Sequence, residues 1–265
     1  MRPSLLAGAL LLLLFVACAV VPGVIAPFDP SAFDFTSLLQ PPSAAHPFGT
    51  DNFGRDLLSR TIWAARVDLQ IAIFATIGPL LIGVAVGALA GYYGGILDAV
   101  FGRIVDMVVT IPFLVLVIGV VAMLGPGLIN MFLAITLVGW VTYARLTRAE
   151  LLVQKQQDYA HAARVLGYGH ARVVVGHLLP NALGPVLTYW ITEMALVILL
   201  GSSLGYLGLG AQPPTAEWGV LIADGKNYMN TAWWLTVCPG IAIVLAGIAF
   251  SLTGDGLGAW LRSRR

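Results

Sequence analysis

The chain has 265 residues, 58% hydrophobic and 10% charged, a formal net charge of +1 and a mean hydropathy of +0.88. That composition excludes an ordinary soluble globular domain, and the net charge of +1 says nothing about nucleic acid; no nucleic-acid partner is expected. A spanning helix needs about 20 apolar residues, so there is room for roughly six.

The first apolar run covers residues 4 to 26 behind Arg2. Ala17-Cys18-Ala19 offers a small-x-small cleavage pattern, but the run continues to Ala26, which favours a retained anchor. Phe28 to about Arg66 reads as an outer, proline-rich loop. It holds His46-Pro47-Phe48-Gly49-Thr50-Asp51 and Gly54-Arg55-Asp56-Leu57-Leu58-Ser59-Arg60. The second span is expected over Val67 to Tyr92. Gly83, Gly87, Gly91 and Gly95 recur every fourth residue, a row that lets helices approach closely, within this chain or against another. A turn from Tyr93 to Gly102 precedes the third span, Arg103 to Leu124, which carries Pro112. Gly125-Pro126-Gly127 breaks the chain, and the fourth span runs to about Ala144. The fifth covers Ala182 to Leu204 and the sixth Trp233 to Leu252, with an outer loop between them that includes Trp218-Gly219. Cys18 and Cys238 both sit in apolar runs, so neither a disulfide framework nor a metal site is expected.

With the N-terminus inside, ten of the 14 Lys+Arg fall in inner segments, among them Arg2, Arg262, Arg264 and Arg265. Only Arg55, Arg60, Arg66 and Lys226 fall outside. This asymmetry predicts cytoplasmic N- and C-termini. It also puts the longest polar interruption, residues 157 to 180 between spans four and five, in the cytoplasm.

Within that loop Tyr159, Ala162, Ala163 and Leu166 fall on one helical face. Asp158 is the expected N-cap and Gly167 the C′ residue. Ala171, Val174, Val175 and Leu178 repeat the spacing on a second short helix before Pro180. Small apolar side chains on a short helix suit insertion into a groove of another protein.

Ala162-Ala163, then Gly167, then Leu179-Pro180 resembles the "EAA" loop of bacterial ABC importer permeases. His161 stands in the glutamate place and His177 in the isoleucine place. The flanking Gln157-Asp158-Tyr159 and Pro180-Asn181 resemble the dipeptide, oligopeptide and nickel branch, C-type subunit. So does the segment from His46 to Arg60. The resemblance implies an all-α integral membrane fold of six transmembrane helices, as an anchor plus outer loop over 1–66 and a permease core over 67–265. It implies a multi-pass protein of the bacterial inner membrane, surrounded by lipid. A homologous second permease, two ATPase subunits and an extracytoplasmic solute-binding protein would be its partners. Asp158, Tyr159, Ala160, His161, Ala162, Ala163, Arg164, Leu166 and Gly167 would form the coupling helix that docks into the ATPase. Peptides would be the solute, with nickel chelates or other small solutes as the alternative.

No Gly-x-x-x-x-Gly-Lys-Ser/Thr string occurs, so ATP hydrolysis is expected on other subunits and no cofactor here. Gly201-Ser202-Ser203-Leu204-Gly205 matches a nucleophile-elbow pattern, but it ends an apolar helix rather than a strand, and catalysis is not expected. Glu193 lies near the middle of the fifth span. An intramembrane carboxylate costs about 3 kcal/mol on insertion scales and should face the bundle interior or a water-filled path; it either makes a helix–helix hydrogen bond, stays protonated, or lines the solute route, where it would meet an amine. His161, His170 and His177 are spaced too widely for a metal site. A self-sufficient secondary transporter would need ionisable residues in several spans and repeated halves, and neither is visible.

Overall fold

The structure, a computed structural model, describes residues 3–262, so Arg2, Arg264 and Arg265 of the charge asymmetry lie outside them. The described residues form helices without a named strand; Thr50 and Asp56 make an isolated antiparallel bridge. The order is α1 (Pro3–Val20), α2 (Pro22–Ile25), α3 (Leu57–Tyr93), α4 (Gly95–Val109), α5 (Phe113–Leu124), α6 (Leu128–Gln154), α7 (Asp158–Val165), α8 (His170–Val173), α9 (Leu179–Tyr206), α10 (Trp218–Gly225) and α11 (Trp234–Arg262). Four helical stretches are long and apolar enough to cross a membrane: Leu57–Tyr93, Leu128–Gln154, His170–Tyr206 and Trp234–Trp260. The apolar helix Ser4–Val20 is shorter.

Several boundaries differ from the sequence expectation. The second span begins at Leu57, ahead of Val67 and across the expected division at residue 66. Asp56 caps it there by accepting from Ser59 N. The third span has no lead-in turn to Gly102, because α4 starts at Gly95. It is then broken by 85° between α4 and α5. Pro112 opens α5 with extended backbone, and the residue before a proline resists the α conformation. The second short helix, expected over Ala171 to Leu178, is not separated from the fifth span. Instead α8 runs through one π-helical turn, Val174–Leu178, into α9. The sixth span continues past Leu252 through Gly254-Asp255-Gly256. A side chain on Gly254 would meet Thr192, and one on Gly256 would meet Leu5. These glycines let α9 and α1 close onto α11.

The glycine row of α3 works inside the chain. A Cβ at Gly83 would strike Tyr143 and the Trp140 carbonyl, and one at Gly87 would strike Ala144, so α3 and α6 are in backbone contact. Gly95 lies past the end of α3 and has open space around it. Arg66 donates from Nε to Ala19 O at 2.7 Å and from Nη2 to Val20 O at 3.2 Å. It thereby satisfies the free carbonyls at the end of α1.

Candidate functional site

The inner loop forms the expected short helix. Gln157, extended at φ −78 and ψ 150, is its N-cap, so Asp158 opens the first turn rather than capping it. Its carboxylate still favours the positive end of the helix dipole. The C-terminus is a Schellman closure: Gly167 N donates to Arg164 O at 2.9 Å and Tyr168 N to Ala163 O at 3.2 Å. Gly167 sits at φ +79, in the left-handed region that favours glycine.

The faces of α7 divide differently from the simple spacing. Ala160 and Ala163 are buried, packed with Ala88 and Tyr92 of α3, Leu151 of α6, and Leu178 and Ala182 at the start of the fifth span. Tyr159, His161, Ala162, Arg164 and Gly167 are exposed. Val165 and Leu166 are 88% and 70% exposed. Ala163 therefore belongs to the inner seam, and Val165 joins the outward apolar face with Ala162 and Leu166. Lys155 Nζ donates to Tyr92 O at 2.6 Å, and the Tyr92 hydroxyl meets His170 Nδ1 at 2.7 Å. The helix is thus seated on the ends of α3, α6 and α9 together. Replacing Ala163 with Asp would put an unpaired carboxylate in this seam at a cost of several kcal/mol. The expected result is loss of the folded chain itself, read as membrane-inserted yield.

His170 meets Tyr92 and His177 meets Tyr168, while His161 is exposed. Among the described residues no three His, Cys, Asp or Glu gather in a metal-binding cluster. Ser203, the serine of the elbow-like pattern, bonds back to Leu199 O at 2.7 Å within α9.

Glu193 lines a cavity of about 450 Å³ beside the broken span, with Pro79, Phe113, Thr142, Tyr189 and Ser203 among its walls. Tyr189 donates its hydroxyl to Glu193 Oε1 at 3.2 Å. The Tyr143 hydroxyl and the second carboxyl oxygen of Glu193 are buried, and these two side chains contact each other. Thr142 also lines a second, larger cavity of about 870 Å³ between α4 and α6, walled by Asp98, Asp106, Arg145 and Arg148. Arg148 forms an ion pair with Asp98 there. Thr142 borders both cavities.

The opposite end holds two polar clusters that the sequence did not disclose. In the first, Asp51 accepts from Arg55 Nε at 2.7 Å, Arg60 Nη1 at 2.6 Å, and the backbone N–H groups of Phe53 at 2.8 Å and Arg55 at 3.0 Å. All three charged side chains are buried. Asp224 approaches Arg60 at 3.6 Å from α10. Gly49 and Gly54 turn this segment with positive φ, and the Asp34 carbonyl stands where a Gly54 side chain would go. The segment from His46 to Arg60 is therefore the knot that ties the outer loop to α3, α10 and Trp234.

In the second cluster, α10 is inserted between α3, α9 and α11 where a loop was expected. Glu217 caps it, accepting from Gly219 N at 2.7 Å and Val220 N at 2.9 Å. Burial pushes the Glu217 carboxyl up, against the pull of those two N–H groups. Asp68 of α3 contacts Glu217 and accepts from Trp218 N at 3.1 Å. Trp218 donates Nε1 to Thr61 O at 3.0 Å. Asp68 and Glu217 each look like ordinary loop-edge acids in the sequence; only their pairing across about 150 residues marks them.

Residues 83–265 match the family described as binding-protein-dependent transport system inner membrane component. The chain belongs to that family. Two curated permeases match nearly all of it. A di/tripeptide transport system permease of Pseudomonas aeruginosa is 40% identical over 258 residues, covering 95% of this chain and 85% of the relative. A probable D,D-dipeptide transport system permease of Escherichia coli is 39% identical over 255 residues, covering 96% and 86%. The solved MetNI methionine ABC transporter shares the fold, with a TM-score of 0.60 and 21% identity over 77% of this chain and 95% of that one. The permease family inferred from the inner loop is thus the one that the whole chain matches. The chain is a multi-pass permease component of the inner membrane, and its helices are those of an ABC importer permease.

Proposed function

We propose that this permease forms half of a peptide translocation path, completed by a homologous second permease. Two ATPase subunits would bind on the cytoplasmic side and hydrolyse the ATP. A solute-binding protein would deliver peptide to the outer face. The relatives' peptide substrates support the solute class. In this reading α1, α3, the broken pair α4–α5, α6, α8–α9 and α11 are the six spans, with both termini cytoplasmic. Residues 1–66 are the anchor and outer loop, and 67–265 the permease core. Arg55, Arg60 and Lys226 then lie at the outer end, and Lys155, Arg164 and Arg172 at the inner, as the positive-inside rule requires.

The observation that carries the reading is α7: a closed, short helix seated on three spans with an exposed face of Tyr159, Ala162, Val165 and Leu166. That face is the ATPase contact, bordered by Asp158, His161 and Arg164, while Ala160 and Ala163 transmit the load inward and Gly167 shapes the turn. ATP-driven closure of the ATPases would move α7 and the span ends beneath it as a rigid body. Leu166→Asp puts a charge at the centre of that contact without touching the inner seam. The expected result is normal membrane insertion with at least about tenfold less ATPase co-purifying with the complex. Full recovery of the ATPases would remove α7 as the contact.

A further inference from the structure

The stretch Gly201-Ser202-Ser203-Leu204-Gly205 is no nucleophile elbow, yet it shapes the surroundings of two acids. Gly205 leaves the space that the Glu217 carboxyl fills, since a Cβ there would overlap Glu217 Oε2. Ser202 Oγ lies 3.4 Å from Asp68 Oδ1. This turn of α9 therefore walls in the pair that ties α10 to α3. Asp68 and Glu217 are both fully buried, and their carboxyls hydrogen-bond each other.

No positive charge balances them. On α3, Arg60 turns to Asp51 and Arg66 to the end of α1. On α10, Asp224 faces Arg55 and Arg60, and Lys226 at its end is exposed. From α9 comes the Ser202 hydroxyl; Tyr206 is exposed, and Glu193 lies deeper, against its tyrosines. On α11, Cys238 packs beside Trp234, and Asp255 lies at the far end, between Gly254 against Thr192 and Gly256 against Leu5. On α1, the Cys18 thiol borders the surrounding core. Two carboxyls in contact without a cation cannot both ionise, so one proton stays between them.

The donors around the pair say which acid carries it. Glu217 accepts backbone N–H groups on both oxygens, from Gly219 at 2.7 Å and Val220 at 2.9 Å. Those donors cannot rotate away, so Glu217 is held as the carboxylate. Asp68 Oδ2 accepts from Trp218 N at 3.1 Å. Asp68 Oδ1 meets only the Ser202 hydroxyl, which turns freely and can accept as well as donate. Asp68 Oδ1 is the oxygen left to hold a hydrogen.

We propose that Asp68 carries one proton, donated to the Glu217 carboxylate, and that this shared proton is a latch holding α10 between α3, α9 and α11. Removing it breaks the Asp68 O–H bond, passes the proton to water, and leaves two carboxylates that repel each other. Lifting α10 off α3 is thereby coupled to the release of one proton. The sign of the pH dependence follows. Both acids give up their protons at about pH 4 in the unfolded chain, while the folded pair keeps one. The folded state then binds more protons, and stability falls as pH rises, by about tenfold in the folding equilibrium per pH unit.

The experiment compares the full chain, purified in detergent, with Asp68→Asn and Glu217→Gln. A carboxamide at 68 reproduces protonated Asp68, accepting from Trp218 N and donating to Glu217, but cannot titrate. Melting temperature is read from about pH 6 to about pH 8, and infrared difference spectra of parent minus D68N are taken at neutral pH. The expected result is that D68N melts with the parent at the acid end and is the more stable at the alkaline end. There the parent has lost about 100-fold in its folding equilibrium relative to D68N, roughly 5 °C or more in melting temperature. The difference spectrum should show the C=O stretch of one protonated carboxyl. E217Q, which turns an amide NH₂ towards a backbone N–H, should melt lower than D68N throughout. Parallel pH profiles for parent and D68N would overturn the latch, as would a difference spectrum with no protonated carboxyl. A D68N chain that does not fold would overturn it too, because Asp68 would then be needed as a carboxylate. E217Q tolerated where D68N is damaging would put the proton on Glu217 and contradict the assignment.

Discussion

Asp51→Ala is expected to be among the most damaging single changes in this permease. Asp51 offers one carboxylate to two guanidinium groups, Arg55 and Arg60, and to two backbone N–H groups. Arg55 and Arg60 are only 7% and 3% exposed. Truncating Asp51 leaves both positive charges facing each other in a largely dry site. Asp224 is the remaining acid, but it lies 3.9 Å from Arg55 and 3.6 Å from Arg60 and is itself partly exposed. Breaking a buried ion network by removing one partner costs about 3–5 kcal/mol, and the residual pull of Asp224 argues for the lower end. For a chain of this size about 3 kcal/mol corresponds to a fall of roughly 6–12 °C in melting temperature. Thermal unfolding of the purified chain, followed by size-exclusion fluorescence, reads it directly. A melting temperature within a degree or two of the parent would mean that the knot does not hold the outer loop.

Gly219→Val acts on the other outer element. Gly219 backs onto the Ser202 carbonyl so closely that any Cβ would overlap it. Neither partner can yield by rotating a side chain, because the obstruction is backbone. Helix α10 would have to move away from α9, which withdraws Trp218 from Thr61 and from Phe15 and separates Glu217 from Asp68. Overpacking alone costs about 1–3 kcal/mol, and displacing a fully buried tryptophan adds to it. The expected result is a loss comparable with that of Asp51→Ala, and newly exposed Trp218 visible as a red-shifted emission. Ser203→Ala, next to Ser202 and half-buried, is the matched control with little expected effect. If Gly219→Val melts like the control, α10 is not seated as described.

Both changes fall on elements that the sequence reading treated as loop, and the reason is physical. Hydropathy and 3.6-residue periodicity expose long apolar helices, so the runs that became α3, α6, α9 and α11 were legible, as was the short helix ending at Gly167. Charges near a span end argue against helix in the same reading. Arg60 and Arg66 thus hid the first turns of α3, although Arg60 is satisfied by Asp51 and Arg66 by the end of α1. Helix α10 is too short to show a period, and its cap, Glu217, is outside the usual capping set. Pro112 was visible, but the 85° break it accompanies depends on where α4 and α5 pack. The spacing of Tyr159, Ala162, Ala163 and Leu166 established a helix. Which face is covered was decided by α3, α6 and α9, which the local pattern does not contain. Glu193 was legible as an isolated acid; its chamber and two tyrosines were not.

The most direct measurement is disulfide-free cross-linking from α7. With Cys18 and Cys238 replaced by Ser, Leu166→Cys and Ala160→Cys are introduced separately, and the assembled importer is treated with a short thiol-to-amine reagent. The account predicts that Leu166→Cys joins an ATPase subunit in high yield, while Ala160→Cys, whose side chain is shielded by Leu151 and Leu178, does not. An unreactive Leu166→Cys, or one labelled from the outer face by a membrane-impermeant thiol reagent, would contradict it.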